Sequence, residues 1–465
     1  MVATKETVPP TSRNAGVVRQ VVSSGIVSIS ALSAGMMQGW ASPMTPHLRG
    51  EESPVGPMTT QEVANLISFP TYFGLVLGFS IIYVVNHWGR KPGLIAISIP
   101  TFIGYVVLAF GTSIPMLYFG KVLARFGGIA VTLSQMYVSE TTHESIRGIM
   151  MATCTMQINI GILAGYILGK YLSFQWFNAV YAVVPLVFAA LMLLLPETPY
   201  FLMAKSREDD AKKSLLWLRG GDVGLADDEL TSIKNKESDN TEEKLTFSQE
   251  MKSRATKIAL IVGVLGYAFQ TLSGIHAVIN YAGLIFQEAG SPLDPNDSAI
   301  ITAVLNLVAS FLNLFLIDRF GRKPLLYISF IGGGISLTIL TVFLYILQHS
   351  GASESFGWIP IGSLGTFIFC YGIGLASVPG VLMNEMSPTN IKAVMGTLIG
   401  IVALCMLVGI VQMFPFLDEH IGLWFCFAIP AVCNTLGIFF TMFIVRETKG
   451  KTLTQIANEL NNKYD

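Results

Sequence analysis

The stretch DRFGRKP at residues 318–324 has a near copy, NHWGRKP, at residues 86–92. Each copy follows a long apolar segment, and each ends with the same four residues, Gly-Arg-Lys-Pro. The two copies lie about half the chain apart, as two equivalent points of a duplicated sequence would. One match of this length supports a duplication only weakly, so the rest of the chain decides the question.

Two further matches follow the first in the same order. One is an acid and a base seven residues apart, and the other is the pair PETP at 196–199 and RETK at 446–449. The acid–base matches are Glu140 with Arg147 and Glu385 with Lys392. Three ordered matches, each after an apolar segment, predict a chain made of two similar halves.

The composition indicates that most of the chain is solvated by lipid. Of 465 residues, 52% are hydrophobic and 13% charged, and the mean hydropathy is +0.58. Soluble domains carry about 25% charged residues. The net charge of −1 and the lack of a long basic run exclude nucleic acid as an expected partner. The five cysteines all lie in apolar segments, so we expect no structural disulfide.

A bilayer crossing takes about 20 apolar residues, which predicts twelve spans here. In the first half they are 21–40, 63–85, 93–111, 115–137, 150–172 and 176–195, and in the second they are 257–286, 298–317, 324–347, 358–384, 394–416 and 422–445. The predicted fold is therefore an all-α membrane protein with twelve transmembrane helices in two pseudo-symmetric six-helix bundles.

The distribution of Lys and Arg predicts the orientation, because these residues favour cytoplasmic loops. The predicted organisation is a cytoplasmic N-terminus (1–20), a first bundle (21–196), a cytoplasmic linker with amphipathic helices (197–256), a second bundle (257–445) and a cytoplasmic tail (446–465). The polar stretch 1–16 does not resemble a cleaved signal peptide, so we expect the first apolar segment to direct insertion. Asn296, in Asn-Asp-Ser, is a candidate glycosylation site in an outer loop.

Charged residues of the repeated motifs are predicted to form a cytoplasmic gate. Exposed ion pairs contribute only about 0–1 kcal/mol each, so several can bias one conformation and still break in every cycle. The alternative is that they only fix topology and cap helices. The candidates are Arg90, Glu140, Arg147, Glu197, Asp318, Arg322, Glu385, Lys392 and Glu447. Asn86 stands where the second half has Asp318, which predicts a looser gate in the first half.

In combination these motifs resemble the sugar porter family of the major facilitator superfamily. The resemblance covers nearly the whole chain and includes YVSE at 137–140, QTLSGI at 270–275 and ETKG at 447–450 beside the motifs above. The stretches NIGIL at 159–163 and AKKSLLWLRG at 211–220 look like the insect facilitated trehalose transporter group. The resemblance implies a plasma-membrane sugar transporter that works by alternating access.

The resemblance also implies six substrate-binding candidates. They are Gln270, Thr271, His276, Asn306, Asn159 and Thr155. Of the family's seventh-span motif, Gln270 keeps the first glutamine, whereas Thr271 and His276 replace a glutamine and an asparagine. Amides and hydroxyls suit a neutral sugar because they both donate and accept hydrogen bonds. Packing between helices is the alternative role for each of them.

The predicted mode is facilitated diffusion (uniport) of a hexose or trehalose. Proton-driven relatives carry a carboxylate in the first span, where this chain has GMMQGW at 35–40, and no span here has Asp or Glu away from its ends. A proton-coupled sugar or polyol symporter, with His276 as the titrating group, and a non-transporting sugar sensor are the alternatives. The short tail 446–465 argues against a sensor.

Two further expectations concern chemistry and charge. We see no nucleophile motif, metal-ligand spacing or nucleotide loop, so we expect no enzyme, cofactor or metal; the expected partners are a sugar and the bilayer, and the expected state is a monomer.

Lys121 matches a basic residue that the family keeps in the fourth span, and Arg125 lies one turn deeper. Arg125 either faces a water-filled cavity, or snorkels or pairs with a carbonyl.

Overall fold

The computed structural model describes residues 10–51, 53–242, 253–350, 357–387 and 392–449, with 451 and 455. All regular structure in these ranges is helical. The side chains of Asn86, Asp318 and Lys392 lie outside the described part, so the predictions made for them stay predictions.

The first half contains eight helices and the linker contains three. They are α1 (Pro10–Gly39), α2 (Ala41–Arg49), α3 (Thr60–Trp88), α4 (Arg90–Phe110), α5 (Ile114–Ala124), α6 (Phe126–Thr141), α7 (Glu144–Tyr171) and α8 (Phe174–Met192), then α9 (Pro199–Ala204), α10 (Glu208–Leu218) and α11 (Val223–Glu242). The first helix begins at Pro10, ahead of the predicted start at 21, because a helix can continue in water beyond the lipid.

The second half contains eight helices. They are α12 (Arg254–Leu272), α13 (Ile275–Glu288), α14 (Pro295–Phe320), α15 (Arg322–Ser350), α16 (Trp358–Ile373), α17 (Val378–Met386), α18 (Lys392–His420) and α19 (Leu423–Phe443). Within the described residues, eleven helical segments are long and apolar enough to cross a membrane, and α3 occupies the place of the remaining predicted span. Phe119, Phe315 and Phe443 are 57%, 63% and 74% exposed, as side chains in contact with lipid would be.

Equivalent helices of the two halves pack in equivalent ways. The contacts of α4 with α5 and α8 recur as those of α15 with α16 and α19, and the contacts of α1 with α6 and α7 recur as those of α12 with α17 and α18. This recurrence is the structural counterpart of the sequence duplication.

Three predicted spans are interrupted. The fourth breaks at Arg125, between α5 and α6, and the tenth breaks between α16 and α17. The seventh breaks at Gly274, whose φ of +96° is in the left-handed region that glycine adopts without strain. The break lies within the QTLSGI stretch at 270–275. Asn434 donates to the carbonyl of Ser273 that the break leaves free (3.3 Å).

The two halves contact each other through α7 with α14, α3 with α18, and α1 and α2 with α13. We call the end of the bundle that carries the repeated motifs the motif end. Tyr166 donates to the carbonyl of Ile279 (2.7 Å), and the amide of Gly283 donates to Ser42 (3.0 Å). Among the described residues, hydrogen bonds between the halves lie from the middle of the bundle to the end opposite the motifs, where the halves therefore close.

Candidate functional site

A cavity of about 150 Å³ lies between the two halves. The first half contributes α1, α2, α3 and the α5–α6 junction, and the second contributes α13 and α18. The polar or charged residues that line it are Gln38, Ser68, Thr71, Lys121, Arg125, His276 and Asn280. A cavity shared by two halves is where a transporter of two bundles holds its cargo.

Lys121 and Arg125 are the two cations of this cavity, one helical turn apart at the α5–α6 junction. Only 6% of Lys121 is exposed, and its Nζ lies 3.7 Å from the centre of the Trp40 ring. The Nε of Arg125 is buried, with no hydrogen-bond partner among the described residues. The structure thus has Arg125 facing the cavity, the first of the two alternatives drawn from the sequence.

An amide cluster joins the halves near the middle of the bundle. Asn306 donates to the Oδ1 of Asn159 (3.1 Å), and the Nδ2 of Asn159 donates to Ser310 (2.7 Å). Asn159 is on α7, and Asn306 and Ser310 are on α14. The structure therefore brings two of the six substrate-binding candidates into contact with each other. Thr155 lies one turn closer to the motif end on α7 and is exposed.

Gln270 and Thr271 make their contacts inside the second half. The Nε2 of Gln270 donates to the carbonyls of Leu375 and Ala376, both at 2.9 Å. These carbonyls belong to the break between α16 and α17. The hydroxyl of Thr271 donates to the carbonyl of Tyr267 in its own helix (2.8 Å). Of the six candidates, His276 alone lines the cavity, on α13. Their predicted contact with a sugar stays a prediction.

Three gate candidates of the first half, Arg90, Glu140 and Glu197, form one cluster at the motif end. The guanidinium of Arg90 pairs with Glu140 at 2.9 Å, with 11% and 13% of the two side chains exposed. Glu197 accepts from the backbone amides of Lys91 (3.1 Å) and Thr198 (2.7 Å). Arg147 donates to the carbonyl of Thr142 (3.4 Å).

The second half repeats this cluster. Arg322 pairs with Glu385 at 2.7 Å, and Glu447 accepts from the backbone amides of Arg322 (3.1 Å) and Lys323 (3.0 Å). Glu385 also accepts from the hydroxyl of Thr448 (2.5 Å). The described ion pairs of both clusters are largely buried and join helices of one half, where the sequence analysis expects exposed pairs. Removing one partner of a buried pair costs about 3–5 kcal/mol, so each pair holds its own half together.

The two equivalent carboxyls have pKa shifts of opposite sign. Burial raises the pKa of Glu197, and the amides of Thr198, Lys91 and Arg90, together with the charge of Arg90, offset this only in part. Burial is also the largest influence on Glu447, but four backbone amides outweigh it and lower the pKa. The difference follows from the deeper burial of Glu197 and from the additional amide at Glu447, since burial disfavours the charged form and hydrogen bonds to a carboxylate stabilise it.

Sequence reasoning missed several residues of the cavity. Asn280 lies one turn after His276 on α13, so helical periodicity could have found it. Gln38 and Thr71 had no comparable signal, because they reach the cavity only through the way that α1 and α3 dock on the second half.

Comparisons with known proteins agree with the duplicated helical architecture. A family profile described as sugar (and other) transporter matches residues 27–460. The facilitated trehalose transporter Tret1 of Polypedilum vanderplanki is 30% identical over 97% of this chain and 90% of its own. Tret1 of Bombyx mori is 31% identical over 95% of this chain and 87% of its own.

Solved structures share the fold. The partially occluded, inward-open xylose transporter XylE from E. coli has a TM-score of 0.76 at 21% identity, covering 93% of this chain and 99% of that chain. The proton:xylose symporter XylE bound to 6-bromo-6-deoxy-D-glucose has a TM-score of 0.72 at 21% identity, covering 94% and 99%. At this identity the likeness establishes the major facilitator fold and leaves the coupling mode open.

Proposed function

Because this chain belongs to the sugar porter family of the major facilitator superfamily, we propose that it carries a hexose or trehalose across a membrane as a uniporter. The family consists of transporters, and the chain is a multi-pass membrane protein. What we propose is the cargo and the absence of coupling to protons. Similarity to Tret1 of two insects over nearly the whole chain supports the choice of sugar.

The observation that carries uniport is the position of the acidic residues. No Asp or Glu occurs between residues 7 and 50, or between residues 63 and 139, so the first-half helices around the cavity contain none near it. In the second half the acids of the predicted spans lie within three residues of a helix end, as Glu288 and Asp418 do. A carboxyl-based proton relay needs an acid inside the membrane.

The site supports alternating access about the cavity. The halves close at the end opposite the motifs through α2, α3, α7, α13, α14 and α18. We propose that the motif end, both termini and the linker are cytoplasmic, that the membrane is the plasma membrane, and that the bundles match the predicted bounds 21–196 and 257–445. Asn296, in the first turn of α14, would then face outward.

Uptake into proteoliposomes of purified protein tests the function. Labelled trehalose, glucose and a polyol are supplied separately, with and without an imposed pH gradient. We expect saturable uptake of trehalose or glucose that stops at equal concentrations inside and outside. Accumulation above that level, driven by the pH gradient, would establish the symporter instead. Binding without uptake of any of the three would favour the sensor.

A further inference from the structure

The cavity carries positive charge that no carboxylate pairs with in the part of the chain that the structure describes. Lys121 and Arg125 both line it, and His276 faces them from the other half. The acids nearest in sequence to the two cations are Glu62 and Glu140, both at helix ends. A charged side chain inside a membrane costs at least about 2.5–3.5 kcal/mol, so such residues usually mark a ligand site.

The structure is built to keep these cations in the cavity. A Cβ at Gly74 of α3 would lie 3.2 Å from the Nε of Arg125, and a Cβ at Gly128 of α6 would lie 3.8 Å from its Cζ. The first distance is tighter than an ordinary contact, so glycine at 74 leaves room for the guanidinium, whereas the second is an ordinary van der Waals distance. Lys121 has Trp40 beside it, and a cation–π contact stabilises an ammonium without cancelling its charge.

Lys121 and Arg125 would bind an anion with different geometries. A guanidinium presents a planar fork of N–H donors that matches the two oxygens of a carboxylate or phosphate, and an ammonium adds a compact point charge. The amides of Gln38 and Asn280 and the hydroxyl of Thr71 line the same cavity and suit the hydroxyls of an attached polyol.

We propose that Lys121 and Arg125 form an oxyanion subsite, so that the cargo binds together with a carboxylate or phosphate group. The oxyanion is either part of the cargo, as in a sugar acid or sugar phosphate, or a separate inorganic anion beside a neutral sugar. The subsite rests on the proposed transport function and narrows its substrate class.

Binding to the purified, detergent-solubilised protein is the direct test, with thermal stabilisation as the readout at constant ionic strength. The probes are glucose, glucuronate, glucose 6-phosphate, inorganic phosphate, and glucose together with phosphate. We expect the oxyanion-bearing sugars to bind at least tenfold more tightly than glucose. Tighter binding only when glucose and phosphate are present together would identify a separate anion as the source. Equal binding of glucose and every oxyanion probe would overturn the proposal.

Substitutions of Lys121 and Arg125 test whether these two residues cause the preference for an oxyanion. Lys121→Gln and Arg125→Gln should each reduce the preference for the oxyanion at least tenfold, whereas Lys121→Arg and Arg125→Lys should retain most of it. Lys257→Gln is the matched control, since Lys257 is exposed near the start of α12 and away from the cavity. A preference that survives in both glutamine variants would also reject the subsite. The wild-type comparison remains decisive if these variants do not fold.

Measurements of transport distinguish a failure of the proposed oxyanion subsite from a failure of the proposed transport function. Uptake of glucose or trehalose that shows no preference for oxyanions would reject the subsite and leave uniport of a neutral sugar intact. Tight oxyanion binding with no uptake of any neutral or acidic sugar would keep the subsite and reject transport. Uptake of glucuronate should move net negative charge and give a current that glucose does not give.

Discussion

Gln270 uses both N–H groups of its side-chain amide to hold the carbonyls of Leu375 and Ala376. A helix break within a membrane leaves carbonyls without their helical donors, and lipid offers none in return. The side chain therefore stabilises the break between α16 and α17 in this conformation. These two bonds occupy the Nε2 of Gln270, so the Oε1 is the atom left to accept from a sugar hydroxyl in this conformation.

Replacing Gln270 by Leu should lower stability, because each carbonyl left without a donor costs about 1–3 kcal/mol. Thr271→Val is the control, since the hydroxyl of Thr271 bonds only within its own helix, and we expect a change below about 1 kcal/mol. Melting temperatures in detergent measure both. An unchanged melting temperature in Gln270→Leu, combined with loss of sugar binding, would instead show that the amide serves the ligand.

The carboxyls of Glu197 and Glu447 should give the protein opposite responses to pH. The raised pKa of Glu197 contributes stability below the ordinary value of 4.5, and this is lost as pH rises through the folded value. The lowered pKa of Glu447 contributes stability above 4.5, and this is lost as pH falls through the folded value.

Single variants measure these contributions. Relative to the wild type, Glu197→Gln should gain in melting temperature as pH rises above 4.5, and Glu447→Gln should lose its disadvantage as pH falls below 4.5. The two differences therefore slope in opposite directions. Parallel slopes would mean that burial and the N–H donors do not distinguish the two carboxyls.

At the scale of the element, one glycine separates two long helices in each half. Gly89 lies between α3 and α4 with a φ of +113°, and Gly321 lies between α14 and α15 with a φ of +93°. A Cβ would stand 2.3 Å from an Oε of Glu197 at the first position and 2.7 Å from an Oε of Glu447 at the second. Each motif therefore needs glycine for two reasons. Only glycine adopts the turn without strain, and a Cβ would collide with the glutamate that lies against it.

Gly321→Ala should destabilise the protein by more than the roughly 1–3 kcal/mol of an alanine held at this φ of +93° and ψ of 175°, because the Glu447 contact is lost as well. Gly400→Ala in α18 is the control, since no atom lies within 4 Å of a Cβ there. A helical glycine replaced by alanine gains about 0.5–1 kcal/mol. We expect the two melting temperatures to move in opposite directions, and a Gly321→Ala protein as stable as the wild type would contradict this account.

The sequence predicts the elements better than it predicts the site. The repeated DRFGRKP and NHWGRKP stretches indicate the two-bundle fold, because each copy specifies a local turn whose contacts lie within its own half. The break at Gly274 was predictable for the same reason, since its cause is local. The break at Arg125 was not, because Arg125 keeps helical φ and ψ (−61°, −24°), and the glycines that follow it, Gly127 and Gly128, lie inside α6.

At the scale of the whole molecule, the cavity depends on how the halves dock. His276 and Asn280 come from α13, whereas Gln38, Thr71 and the two cations come from the first half. No sequence spacing relates residues so far apart in the chain, so the sequence alone leaves open whether Arg125 faces the cavity. The same docking sets Asn159 against Asn306, two candidates that the family resemblance had named separately.

Alternating access predicts that the contacts at the end opposite the motifs break in each cycle. A Cβ at Gly283 would lie 3.7 Å from the Oγ of Ser42, close enough for a disulfide between the halves. The double variant Ser42→Cys with Gly283→Cys should transport when reduced, stop when oxidised and recover with a reductant. The single variants and the oxidised wild type, with its five native cysteines, are the controls. Full uptake by the cross-linked protein would mean that this end stays closed while cargo moves, and alternating access between the halves would have to be abandoned.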